Sequence, residues 1–497
     1  MHNIIFKKEC QITVTQFNFV FLIFFEFYSK KRDYILKMTR IWQNRACIVL
    51  FILTLCVGTP ASLTAGMIRD SELEAGFEKL SNPMARAAGI EQGITIRIII
   101  NPSYNAFVAG GRTVYLHSGL LLKARSAEEI LGVIAHEIGH LAAGHVPLRS
   151  EAVQEANLAT ALATVAAAAA AAAGSPDAAL GLAIGGVDRG QRAYLKTSRR
   201  DESIADEWAL QLLDEAGISS FGLADVMRRL SAQSALPESR QSEYYSTHPG
   251  ASSRLATFND HIRQKEHDAR EISLEDMRLL QRLVIKLAAY VNPPRQTLQK
   301  PLRPTWPRSS TEPAALAPDA DIALYEKTIA QYRYGELAAA RATVQTLLDR
   351  HPDDPWYLEF AGDIYLASAE ANRAADFYQA ALAKRAGDPL ISLSLGRALI
   401  SVNQPAQLAD AVIALETSLE SEPDWAFVKR QLAIAYGRLG KKSNADILLA
   451  EEALINGDKP RAIALARRVL GRDGIPLPLR SRATDILLSL DVPLIVE

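Results

Sequence analysis

Three prolines, Pro355, Pro389 and Pro423, stand 34 residues apart, and Gly362 and Gly396 keep the same interval. A fixed period of this length means one supersecondary unit repeated, each burying its apolar face only against its neighbours. In "LEFAGDIYLASAEANRAADFYQAAL", Gly362, Tyr365, Ala374, Tyr378 and Ala381 take the small and aromatic positions of a helix–turn–helix unit. Small residues let paired helices approach, and the rings fill the gaps between them. A later unit holds Tyr436 and Ala445 in the same relation, shifted by about three residues. An irregular helical bundle is the bland alternative, and the period argues against it.

The pattern resembles the tetratricopeptide repeat, which implies a curved solenoid with a concave binding face. About four to five units fit between residues 321 and 490. Immediately upstream, residues 291–320 hold seven prolines between Pro293 and Pro318. Such a stretch reads as a semi-rigid extended linker rather than a helix or central strand, and it is long enough to lie along a domain surface.

Residues 66–290 mix two periodicities and form a separate block. "TIRIIINP" and "GGRTVYLHSG" are short β-rich runs bounded by Asn, Pro and Gly, the mark of a small sheet. Ser126 and Glu129 form a capping-box signature that opens a helix, and Pro147 stops it. The fold class expected is therefore mainly α with a small β-sheet: an α+β domain followed by an α-solenoid. Between them the first block carries an alanine run, Ala166 to Ala173, within a stretch broken at Gly174 to Asp177. It reads as an inserted helical hairpin, which leaves peripheral membrane contact, cover for an active site and plain packing all open.

Residues 1–65 do not read as a folded domain. After Met38, the expected start, Arg40 and Arg45 precede an apolar run from Ala46 to Val57 and then small residues. This is the three-part layout of a secretory signal, with cleavage after Ala61 or Ala65. The run is short for a membrane span, and retention as an anchor is the alternative. Cys10, Cys47 and Cys56 all fall in this leader, so the body carries neither a disulfide framework nor a cysteine-ligated metal. The expected location is the periplasm. A net charge of -1, from 55 basic and 56 acidic residues, excludes the basic surface that a nucleic-acid partner needs.

The chemistry sits in "GVIAHEIGHLAAGH". His136 and His140, i and i+4 on one helix, project from the same face and can reach one zinc ion. Glu137 points beside such a metal, where it can hold a water. Three protein ligands are wanted, and His145 has the wrong spacing for a metzincin, so it reads as structural or as a support behind the ligands. In "SRRDESIADEWALQLLDEAG", Glu202 and Asp206 are again i and i+4, with small Ala205 between them. Glu202 is the candidate third ligand, and Asp206 can hydrogen-bond a ligand histidine or the reacting group. A surface pair of histidines and a solvated acidic face are the plain alternatives.

HEIGH, then SRxxExxAD, then "THPGASSR" (Thr247 to Arg254), resembles the zinc metallopeptidase family of HtpX and the CAAX prenyl proteases. "NAFVAGG" and "VYLHSGLL" look like that family's segments ahead of the zinc helix. With the leader and the repeats added, the chain looks like the periplasmic β-barrel assembly-enhancing proteases. The resemblance implies that His136, His140 and Glu202 bind one zinc ion per chain, with Glu137 as general base and Asp206 as proton donor. It also implies an edge strand at Asn105 to Val108 along which a polypeptide substrate adds. It further implies clients among misassembled envelope proteins and a partner in the outer-membrane β-barrel assembly machinery, bound through the repeats. The alternative is a chaperone or assembly scaffold with a largely latent peptidase. His248, in "STHPG", sits where Pro249 and Gly250 favour a turn. It is either a surface residue or a latch that takes the metal's fourth position and silences it.

Overall fold

The computed structural model describes residues 66–145, 199–237, 240–265, 272–302, 306–309, 312–316 and 319–493. The leader and the alanine-rich hairpin lie outside the described residues. Alternation in the β-rich runs builds a sheet from β1 (Gly66–Ile68), β2 (Thr95–Ile100), β3 (Ala106–Ala109) and β4 (Thr113–His117). Its order is β1-β2-β4-β3, with β2 and β4 parallel and the other pairs antiparallel. Ile96, Ile98, Val114 and Leu116 turn one face into the core, while Arg97 and Tyr115 point the other way. Gly110 and Gly111, at φ 62° and 86°, make the left-handed turn that joins β3 to β4. The order leaves β3 on an edge.

Helices α1 (Ser71–Ala87), α2 (Ser118–Lys123) and α3 (Ala127–Ala142) follow the same sequence logic. Ser126 caps α3 by accepting from the Glu129 amide at 3.1 Å, as the capping box predicts. The returning arm differs by one residue, because the Glu129 carboxylate accepts from the Arg125 amide. Every residue of α3 from Ala127 to His140 is buried, so this helix is packed on all sides. Around it stand a helix over 199–216 (α4), α5 (Phe221–Ala232), α6 (Glu243–Thr247), α7 (Ala251–Lys265) and α8 (Leu274–Val291).

The proline-rich segment expected as an extended linker is instead structured. It holds α9 (Pro294–Gln299) and a hairpin of β5 (Trp306–Ser309) and β6 (Glu312–Leu316). Proline is compatible with both: Pro294 opens α9, where no backbone donor is needed, and a two-stranded hairpin consists only of edges. Trp306 is buried, and its indole donates to the Ala124 carbonyl at 3.3 Å, tying the hairpin to the first block.

Five helix pairs follow, from Ala320–Tyr334 and Leu337–Arg350 to Lys459–Leu470 and Leu477–Ser489. Pro355 and Pro389 open their helices behind the capping residues Asp354 and Asp388. The helix after Pro423 starts only at Ala426, which is the shift visible in the sequence. The repeated glycines mark close approach. A Cβ on Gly362 would lie 2.6 Å from the Tyr378 ring, and one on Gly396 2.5 Å from Leu415.

Residues Ala65–Glu497 form one compact unit with two apolar cores. Helix α8 serves both. Met277, Leu280, Leu283, Val284 and Leu287 belong to the first core, and Ala289 to that of the solenoid. Buried charges seal the junction: Lys286 Nζ lies 2.8 Å from Asp70 and 2.9 Å from Glu72, and Arg282 reaches Asp354 at 2.6 Å. Arg69 and Arg97 both pair with Glu422 of the third helix pair, Pro389–Val402 and Pro405–Ser421, just past its second helix. Helix α8 thus acts as the cap that a solenoid's first repeat needs. A fragment of residues 272–493 is expected to melt roughly 5–10 °C above one of residues 320–493, the equivalent of about 2–3 kcal/mol. Equal melting temperatures by circular dichroism would remove α8 from that role.

Candidate metal centre

Close packing of α3 on α4 assembles the site. A Cβ on Gly139 would lie 2.5 Å from the Ala205 carbonyl oxygen, so the glycine inside HEIGH sets the distance between the two helices. Across that contact, His136 Nε2 and His140 Nε2 stand 3.2 Å apart. Glu202 brings one oxygen to 3.3 Å from His136 Nε2 and the other to 3.4 Å from His140 Nε2. His248, the residue following α6, adds its Nδ1 at 3.3 Å from His136 Nε2 and 2.9 Å from Glu202. Among the described residues His136, His140, Glu202 and His248 form a group whose ligand atoms all lie within 4.8 Å of one another. All four are buried.

These spacings fit a zinc ion. Four donors at about 2.0–2.1 Å from a tetrahedral centre are separated by about 3.3–3.4 Å. Two imidazole nitrogens facing each other across 3.2 Å can share either a proton or a metal ion. The field also favours a cation. Burial by itself lowers the pKa of His136, yet the Asp206 and Glu202 carboxylates outweigh it and raise it to about 9. Burial would raise Glu202, but His248 and Arg254 hold it well below the usual carboxylate range.

Asp206 stands behind His136, with Oδ1 3.0 Å from Nδ1, the ring nitrogen turned away from the cluster. Arg254 of α7 grips the same carboxylate with two bonds of 2.6 Å and donates to Glu202 at 2.8 Å. Burial would raise the Asp206 pKa, and Arg254 with His136 overrides it and holds it below the usual value. A carboxylate placed in this way can orient the His136 ring from behind. Arg254 was missed as a functional residue although it closes the "THPGASSR" run; nothing in a lone arginine on a helix tells that its partners lie 48 and 52 residues away. Breaking such a buried pair costs about 3–5 kcal/mol.

His145 supports the other ligand, its Nδ1 2.9 Å from His140 Nδ1 and its Nε2 3.8 Å from Asp201. Glu137 is buried beside the cluster, and neither of its oxygens has a hydrogen-bond partner among the described residues. Its Oε1 lies 3.5 Å from His248 Nε2. His248 is not a surface residue: it is fully buried, with its amide donating to the Tyr244 carbonyl at 2.9 Å. Burial next to Glu137 and Glu202 pushes the Tyr244 phenol well above the usual tyrosine range.

Two buried histidines one helical turn apart, a glutamate from a second helix and an unpartnered glutamate beside them are the components of a metallopeptidase centre. The family model of peptidase family M48 matches residues 68–262, which hold all of them. The chain carries a peptidase family M48 domain. It is 26% identical over 313 residues to the beta-barrel assembly-enhancing protease of Escherichia coli O157:H7, covering 63% of this chain and 62% of that relative. A protein of the same description from Yersinia pestis is 24% identical over 404 residues, 81% of this chain and 80% of its own. The metalloprotease LoiP of Escherichia coli (strain K12) is 30% identical over 178 residues, covering 34% of this chain and 64% of its own. The chain therefore spans about three fifths of the length of the Escherichia coli O157:H7 relative. The M48 domain ends within α7, so α8, the hairpin and the solenoid lie beyond it.

Proposed function

We propose that the chain is a zinc-dependent endopeptidase of the cell envelope that degrades misassembled outer-membrane or periplasmic proteins and assists β-barrel assembly. The observation that carries the chemistry is the convergence of His136, His140 and Glu202 within ligand distance beside an unpartnered Glu137. His136, His140 and Glu202 hold the metal. Zinc, when bound, acidifies a water and polarises the carbonyl oxygen of the scissile peptide. Glu137 takes the water's proton and passes it to the leaving amine, while Asp206 and His145 keep the ligand rings in register.

His248 reads as the latch. In this arrangement one imidazole disables two groups, since its Nδ1 stands in the ligand cluster while its Nε2 faces Glu137. A polypeptide reaches the site by adding to the edge strand β3, whose outer side has no strand partner among the described residues. Asn105, immediately before β3, touches the latch segment through the Thr247 hydroxyl at 3.5 Å. The solenoid offers the surface for the outer-membrane assembly machinery, and the relatives' names point to the same setting. Among the described residues no helix is long and apolar enough to cross a membrane. The buried position of His248 also favours the second reading, a scaffold whose peptidase is mostly latent.

The full chain, purified with zinc, is expected to cleave unfolded casein. Addition of 1,10-phenanthroline should stop cleavage and excess Zn2+ should restore it. A zinc-loaded chain that leaves casein intact, both as it stands and with His248→Ala, would overturn the peptidase reading.

A further inference from the structure

The Tyr244 hydroxyl is an unused polar atom on a ring that packs against His248. The residue is fully buried, and its phenol oxygen has no hydrogen-bond partner among the described residues. Glu137 Oε1, Glu137 Oε2 and His248 Nε2 likewise have no hydrogen-bond partner among the described residues, although Oε1 and Nε2 stand 3.5 Å apart. Buried polar groups are normally paired, so a group of idle ones around a candidate metal centre marks the place a reactant fills. The Tyr244 ring is held firmly. It lies 4.2 Å from the His248 ring, centre to centre, and 6.1 Å from Tyr104 in an edge-on arrangement. A group that takes the seat of the His248 ring therefore comes against Tyr244.

We propose that Tyr244 is a catalytic residue whose phenol O–H donates a hydrogen bond to the scissile carbonyl oxygen as that oxygen gains negative charge. This rests on the peptidase reading. The proton stays on the tyrosine throughout, and no bond to it forms or breaks. A fixed donor aimed at charge that appears only in the transition state accelerates the reaction without tightening substrate binding. It would add to the polarisation that a metal held by His136, His140 and Glu202 would supply.

Tyr244→Phe removes the hydroxyl and keeps the ring against Tyr104 and His248. The test measures casein cleavage by the full chain, with Tyr and with Phe at 244, in the otherwise unaltered protein and in the His248→Ala background, where the latch cannot mask the chemistry. The expected result is a fall in kcat of about 100-fold with KM unchanged. Zinc content and melting temperature should stay at their original values. A kcat within twofold of the parent overturns the proposal and leaves the peptidase reading standing. So does a loss of activity matched by loss of zinc or by a lower melting temperature, since Tyr244 then serves structure alone. Absence of cleavage by every form, the Tyr244 parents included, overturns both readings together.

Discussion

Glu137→Gln is expected to abolish casein cleavage while zinc stays at about one ion per chain. The amide occupies the same volume beside the cluster, and it is the ability to take a proton that is lost. Neither Glu137 oxygen has a hydrogen-bond partner among the described residues, and the 3.5 Å approach of Oε1 to His248 Nε2 can be kept by the amide. General acid–base catalysis contributes about 10²–10⁴-fold, and a residual rate below one hundredth of the parent is expected. His136→Ala and Glu202→Ala form the contrast, because each takes one donor from a four-atom group and zinc should be lost together with activity. Metal analysis and peptidase assay on the same preparations separate the two classes. Cleavage at an undiminished rate by Glu137→Gln would remove Glu137 from the role of base.

His248→Ala acts in the opposite direction. With the imidazole gone, the place between Glu137 and His136 opens to water, and basal casein cleavage should rise roughly 10–100-fold, accompanied by self-cleavage. Zinc content should change little, since His136, His140 and Glu202 remain. In the latch reading one residue would act on both groups, since 3.3 Å separates its Nδ1 from His136 and 3.5 Å separates its Nε2 from Glu137. A fall in activity would mean that His248 aids catalysis and would end the latch reading.

Local rules were enough for much of this protein. Helix spacing put His136 and His140 on one face, Ser126 opened their helix, and the 34-residue interval announced about four to five stacked helix pairs, of which the structure shows five. Each of these is set by residues within one or two turns of one another, or by a period that repeats. The proline-rich segment was misjudged because proline content reports what a backbone cannot do internally. It is silent on an anchor such as Trp306, which finds its partner at Ala124. The Arg254 clamp on Asp206 was hidden for the same reason, since Arg254 lies on another helix. The position of His248 in the cluster, the idle Tyr244 hydroxyl and the sharing of α8 between two cores are likewise contacts between distant segments. Sequence alone determined which side chains could do metal chemistry and which stretches would coil into helices. Tertiary structure decided which of those side chains meet, which are held ionised and which are blocked, because burial and charge pairing act through space and have no period along the chain.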